Sequence, residues 1–173
     1  NGLVDHLGGL DEAIAAAARL CDEVFAAVEE DGLAGRTERE VKLAAEARLR
    51  RLIGEFAPED TILGEEEGHS PGSGERRWII DPIDGTKAFT RGVPLYSTLV
   101  AVEDQHGPAV GIIELPALGQ RVFAGRGLGC TVVDFHGERP ARVSDTSAIG
   151  DALLCTSGFG SWSPEQVQAA HSS

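Results

Sequence analysis

Two aspartates three residues apart, Asp81 and Asp84, lie in the run Trp78-Ile79-Ile80-Asp81-Pro82-Ile83-Asp84-Gly85-Thr86-Lys87. Two carboxylates on one rigid turn can converge on a single point, which suits a hard cation with oxygen ligands. The amides of Gly85 and Thr86 come next, where a short helix could begin, and could face an anion. A cation beside an anion-binding turn points to phosphate chemistry. The same residues also serve as ordinary turn formers, so the run alone leaves both readings open. Upstream stand Glu65, Glu66 and Glu67. Three glutamates in a row are by themselves most often a solvated loop. Set beside Asp81 and Asp84, however, Glu65 and Glu66 make a carboxylate cluster that would repel itself unless a metal neutralised it.

Positioning these groups falls to the flanking elements. Trp78, Ile79 and Ile80 form an unbroken apolar run, as in a strand covered on both faces. Pro82 lacks an N–H and is expected to end that strand. Thr61-Ile62-Leu63 predicts a second short strand that delivers Glu65 and Glu66. If the two strands lie side by side and point the same way, the carboxylates meet at one edge. His69 to Gly74 reads as a polar, flexible loop.

Upstream, Ala13, Ala16, Ala17, Leu20 and Val24 recur at helical spacing and predict a helix from Leu10 to Val28. A break at Asp31–Gly35 precedes a second helix from Glu38 to Phe56, with Val41, Ala45, Leu49 and Ile53 in its apolar stripe. The short connection predicts an antiparallel pair. Downstream, Phe89–Pro94 reads as a short helix or loop. Strands are expected at Tyr96–Glu103, Ala109–Leu115, Gln120–Ala124, Cys130–Asp134, Arg139–Ser144 and Ala152–Thr156. Ser163-Pro164 opens a final helix. Helices first and strands after them predict an α+β fold, a helix pair packed on a mostly antiparallel sheet.

The chain has 173 residues, enough for one domain with a sizeable core, and a net charge of −13. That charge argues against nucleic acid and anionic membrane as partners, and leaves room for a phosphorylated ligand held through metal. Cys21, Cys130 and Cys155 show no CxxC spacing, so neither a zinc site nor a disulfide framework is indicated, and a reducing cytoplasm is the expected location. No apolar run approaches the roughly 18 residues of a membrane span. His6, His69, His106, His136 and His171 show no metal-ligand spacing.

Gly64-Glu65-Glu66 followed by Trp78–Lys87 resembles the metal-binding signature of the inositol monophosphatase superfamily. Phe89, Arg91–Pro94, Gly111–Gly119 and Gly125–Gly129 fit the same pattern. Thr86–Pro94 together with Pro116–Arg121 is most similar to the histidinol-phosphate phosphatase branch. The resemblance covers roughly residues 45 to 156. It implies a magnesium-dependent phosphomonoester hydrolase of the layered αβαβα sugar-phosphatase fold, acting on histidinol phosphate in histidine biosynthesis. Inositol 1-phosphate or another small phosphate ester is the alternative substrate, and an inactive chain that binds divalent metal is the alternative role. The implied metal ligands are Glu65, Asp81, the Ile83 carbonyl and Asp84, with Asp81 bridging two Mg²⁺ ions. Gly85 and Thr86 would hold the phosphate through their amides, and Thr86 with Glu65 and Asp81 would form the catalytic set. A small phosphorylated metabolite is the implied partner, and a homodimer is allowed.

The chain departs from that pattern in two places. The family carries Thr-x-x-Asp near the start of the second helix. Counted without gaps from Glu46, the register favoured because the helix pattern continues through it, those positions hold Arg39 and Lys42; a gapped count would match Thr37 and Glu40 instead. The family also places a further metal-ligating Asp in a C-terminal αβα half. The chain is therefore expected to be a single N-terminal domain, residues 1–173, lacking that half, with apolar surface bared where the half would pack.

Overall fold

The alanine-rich stripe forms a helix because alanine loses no side-chain entropy there and its small face lets the helix lie close to a sheet. In this computed structural model, which describes residues 10–31, 37–153, 163–165 and 168, α1 spans Leu10–Asp31 and α2 spans Glu38–Phe56. α1 therefore runs one turn past the expected end at Val28. Thr37 caps α2: its hydroxyl accepts the Glu40 amide, and the Glu40 carboxylate accepts the Thr37 amide at 2.7 Å. That reciprocal pair satisfies two N-terminal donors and fixes where the helix starts.

The two helices cover one face of an eight-stranded sheet. Its strands are β1 (Thr61–Gly64), β2 (Gly68–Ser70), β3 (Arg77–Asp84), β4 (Ser97–Asp104), β5 (Gly107–Leu115), β6 (Gln120–Gly125), β7 (Gly129–Asp134) and β8 (Gly137–Pro140). They lie in the order β2-β1-β3-β4-β5-β6-β7-β8. Every neighbouring pair is antiparallel except β1 and β3, which are parallel. A single-turn helix, α3 (Thr86–Phe89), follows β3 directly.

Strand alternation sorts the residues. Trp78 and Ile80 of β3 lie opposite Val102 and Val100 of β4, which in turn lie opposite Val110 and Ile112 of β5. All six are buried in one cluster with Leu20, Val24, Leu49 and Ile53 of the helices. The Phe56 ring meets the Trp78 indole edge-on, with centroids 5.5 Å apart. The residues between them, Leu63, Ile79, Ala101, Leu99 and Ile113, point to the other face, where they line an apolar hollow. Ile113 is 45 % exposed there.

Other expectations change as well. Pro82 does not end its strand: β3 continues to Asp84. The β3/β4 register shifts between Asp81 and Asp84, so the ladder skips the place where the proline N–H is missing. The Pro82 carbonyl is used instead, accepting the Thr98 hydroxyl at 2.7 Å. His69 and Ser70 are not loop but β2, because Gly68, at φ +69°, turns the chain back against β1. The strand expected at Arg139–Ser144 is shorter and earlier, Gly137–Pro140, where Phe135-His136 closes a tight two-residue hairpin from β7.

The chain divides into two units, Asn1–Ala141 and Arg142–Ser173. The first carries both long helices and the whole sheet. In the second, Ile149–Asp151 form a 3-10 turn. Ala152 and Leu153 lie outside any strand, and the rest of the strand expected at Ala152–Thr156 lies outside the described residues. Pro164 is helical, as its place after Ser163 predicts. Among the described residues, no helix is long and apolar enough to cross a membrane.

Candidate metal and phosphate site

The parallel pairing of β1 with β3 builds the site. Gly64, the last residue of β1, lies opposite Ile80, so Glu65 at the start of the following turn and Asp81 of β3 come next on neighbouring strands. The two carboxyl groups lie close enough for each to shift the other's ionisation. Burial first, then the Glu65 carboxylate alongside and the charge of Asp84, raise Asp81 to about 6. Its Oδ1 is buried without a hydrogen-bond partner. Such an oxygen is costly to leave alone, and a cation would satisfy it.

Asp84 stands at the end of β3, exposed, and accepts the Ser97 hydroxyl at 3.4 Å. Gly85 follows at φ +82°, ψ +33°, turning the chain into α3. A side chain here would put its Cβ 2.8 Å from the Leu95 carbonyl oxygen. Gly85→Ala is therefore expected to cost about 2 kcal/mol or more, since the left-handed backbone alone costs an L-residue roughly 1–2 kcal/mol. A urea midpoint equal to that of the parent chain would refute this. Thr86 is buried, and its hydroxyl donates to the Ile83 carbonyl at 3.0 Å. Its oxygen lone pairs remain able to accept a further proton donor.

Facing the carboxylates from α2 is Lys42, only 8 % exposed. Its ammonium donates to Glu65 and stands 3.0 Å from Glu66 Oε1. Burial works against that charge, but the bonds to Glu65 and Glu66 outweigh it and lift Lys42 to about 12. In return Lys42 holds the Glu65 carboxyl below the usual carboxylate range. The helix residue that reaches the cluster is Lys42, the one the ungapped register puts there. Thr37 and Glu40 are exposed at the start of α2 and bonded to each other.

Glu46 is the residue the sequence reading passed over. It is fully buried, one turn beyond Lys42. Its carboxylate accepts the amides of Glu66 at 2.7 Å and Glu67 at 3.0 Å, and the Arg50 Nε at 2.9 Å. Arg50 in turn donates to the Gly68 carbonyl at 2.5 Å and the Ser70 hydroxyl at 2.7 Å. Lys42, Glu46 and Arg50 thus fasten the Glu65–Gly68 turn to α2 from one helix face. Gly64 is part of the fit, since a Cβ there would fall 2.1 Å from Glu46 Oε1. The one signal in the sequence is an acidic residue next to Ala45 and Leu49 of the apolar stripe, and Arg50 four residues on disguises it as an exposed pair.

The donors suit a hard divalent ion by chemistry: carboxylates at Glu65, Asp81 and Asp84, and a carbonyl at Ile83. The buried, unpartnered Asp81 Oδ1 fits the same requirement. As the side chains stand, no group of three His, Cys, Asp or Glu among the described residues is arranged to hold a metal ion. Glu65 is turned onto the Lys42 ammonium.

The site thus consists of a parallel strand pair ending in acidic turns, beside a left-handed glycine and a threonine that opens a short helix. Residues 10–171 match the inositol monophosphatase family, and the chain belongs to it. Among its relatives, the histidinol-phosphatase of Mycobacterium tuberculosis is 41 % identical over 121 residues, 69 % of this chain and 46 % of that protein. The inositol-1-monophosphatase of Mycobacterium leprae is 34 % identical over 124 residues, 69 % of this chain and 42 % of the relative. The inositol monophosphatase structure from Anabaena (Nostoc) superposes with a TM-score of 0.66 at 28 % identity, covering 80 % of this chain and 52 % of that one. The chain spans about half the length of the curated relatives it matches.

Proposed function

We propose that this chain carries the site of a magnesium-dependent phosphomonoester hydrolase whose substrate is histidinol phosphate, a step of histidine biosynthesis in the cytoplasm. The observation that carries the reading is the β1/β3 pairing, which sets Glu65 against Asp81 beside the Gly85-Thr86 turn. Glu65, Asp81, Asp84 and the Ile83 carbonyl would hold Mg²⁺. When bound, the ion supplies Lewis acidity: it makes water a better nucleophile and offsets charge gathering on the phosphoryl oxygens. The amides of Gly85 and Thr86 hold the phosphate, at the head of α3. Thr86 donates its own proton to Ile83, so its oxygen accepts a proton of the attacking water and orients it toward phosphorus. Asp81 stands between the two parts of this arrangement, beside Glu65 across the β1/β3 pairing and three residues before Asp84 and the phosphate turn.

The substrate assignment follows relatives named histidinol-phosphatase, which share 39–43 % identity with this chain. Inositol 1-phosphate is the second candidate, since relatives named inositol-1-monophosphatase share 32–34 %. We read the chain as the N-terminal part of a two-part architecture, because its matches cover about half of each relative. Magnesium-dependent phosphate release from histidinol phosphate and inositol 1-phosphate tests the reading directly. Asp84→Asn is expected to lower turnover by tenfold or more, since even the outer-shell partners of metal ligands are worth about 10–100-fold. Phosphate release that is unchanged in Asp84→Asn, or independent of divalent ion, would overturn it.

A further inference from the structure

Lys42 occupies an unusual position. It is nine-tenths buried on α2 and aimed at the open end of β1 and β3. Its ammonium bonds Glu65 and lies 3.0 Å from Glu66, while the adjacent Asp81 Oδ1 has no partner. Glu46 and Arg50, on the same helix face, bind the turn chiefly through its backbone at Glu66, Glu67 and Gly68. Lys42 alone among these three binds the turn only through its side-chain carboxylates. The turn is thus held by Glu46 and Arg50 whether or not Lys42 is present.

From this geometry we propose that Lys42 is a tethered cation that competes with the divalent ion for the Glu65 carboxylate. The inference rests on the metal reading above. Glu65 can give its Oε2 to the ammonium or to the metal, and a lysine left in place would put a positive charge directly beside the ion. Metal binding therefore requires the Lys42 arm to leave Glu65. Lysine suits this use, because its charge sits on a flexible four-carbon stem that can swing without moving the helix. Lys42 is in this sense a positioning residue: it sets how tightly, and at what divalent concentration, the site loads.

Mn²⁺ binding to the whole chain, followed by electron paramagnetic resonance and by calorimetry, tests the proposal without any reaction. Lys42→Met keeps the length of the arm and removes the charge, and Lys42→Gln keeps a donor as well. Both are expected to bind Mn²⁺ at least tenfold more tightly than the parent, and Lys42→Arg no more tightly. Equal or weaker binding in the two neutral variants overturns the proposal and reduces Lys42 to a structural prop for the turn. Should one neutral variant fail to fold, the other decides. Asp81→Asn separates this from failure of the metal reading. If the carboxylates hold the ion, Asp81→Asn weakens Mn²⁺ binding in the parent whatever Lys42 does. If Asp81→Asn changes nothing, the metal reading falls and takes this proposal with it.

Discussion

Glu46→Ala is expected to destabilise the fold by about 3–5 kcal/mol, the range for removing one partner of a buried ion pair. Its carboxylate is the common acceptor for the amides of Glu66 and Glu67 and for Arg50. Truncation leaves two amides unpaired and a guanidinium, 12 % exposed, with one fewer anion. At roughly 2–4 °C per kcal/mol for a chain of this size, Tm should fall by about 6–20 °C. Glu46→Gln separates the parts of the interaction. The amide oxygen still accepts backbone N–H groups while the charge facing Arg50 is lost, so its cost should fall between the parent and the alanine variant. The Glu65–Gly68 turn should loosen in the alanine variant, with faster amide exchange at Glu66 and Glu67. An alanine variant within 1 kcal/mol of the parent would mean that water replaces the carboxylate, and that the turn does not depend on α2.

A loss of similar size, about 3–5 kcal/mol, is expected for Asp60→Ala, again because a buried cation is left alone. Asp60 accepts the Trp78 indole N–H at 2.8 Å and the Arg76 Nε at 3.1 Å, with 2 % of its side chain exposed. Arg76 immediately precedes β3 and its carbonyl accepts the Thr61 amide at 3.0 Å, so the pair joins the entrances of β1 and β3. Trp78 is fully buried and cannot find another acceptor without moving the core. Asp60→Asn keeps one acceptor for the indole and loses the charge for Arg76, so it should be milder. Chemical denaturation with tryptophan fluorescence in a Trp162→Phe background reads both, because the emission is then that of Trp78 and follows the same bond. A Trp78 spectrum in folded Asp60→Ala that matches the parent would refute the coupling.

The sequence was most informative where physical rules act locally. Apolar alternation at Trp78–Ile80 and Thr61–Leu63, and helical spacing at Ala13–Val24, depend only on which face is buried, and the structure has those elements. The convergence of Glu65 with Asp81 was legible as a condition, that two short strands be parallel neighbours, and the β1/β3 ladder meets it. Pro82 was misread because a proline ends a regular ladder but is tolerated at a bulge, and a bulge leaves no mark in the sequence. Lys42 could be placed beside the cluster only by choosing one alignment register over another. The competing Thr37–Glu40 pair turned out to be spent on capping its own helix. Glu46 was hidden by its neighbours: the same helix face carries Arg50, so the two look like an exposed i, i+4 pair when they are a buried one. Asp60, in a turn with Pro58 and Glu59, carried no sign that an indole lay 18 residues away.

Among the described residues the sheet ends at β2 and β8, and these two rims bear on how copies of the chain can meet. β2 has three residues, and the carbonyl of Gly68 is already taken by Arg50. β8 has four, two of them Glu138 and Arg139, and its last is Pro140, which has no N–H to offer. Strand exchange between molecules needs a long run of unpaired backbone groups, and short, charged or proline-ended rims deny it. Templated growth from the edges is thus closed off at both ends. Crowding that drives these molecules together would act through the apolar face of Leu63, Ile79, Leu99 and Ile113, giving amorphous, dye-binding association instead of ordered fibres.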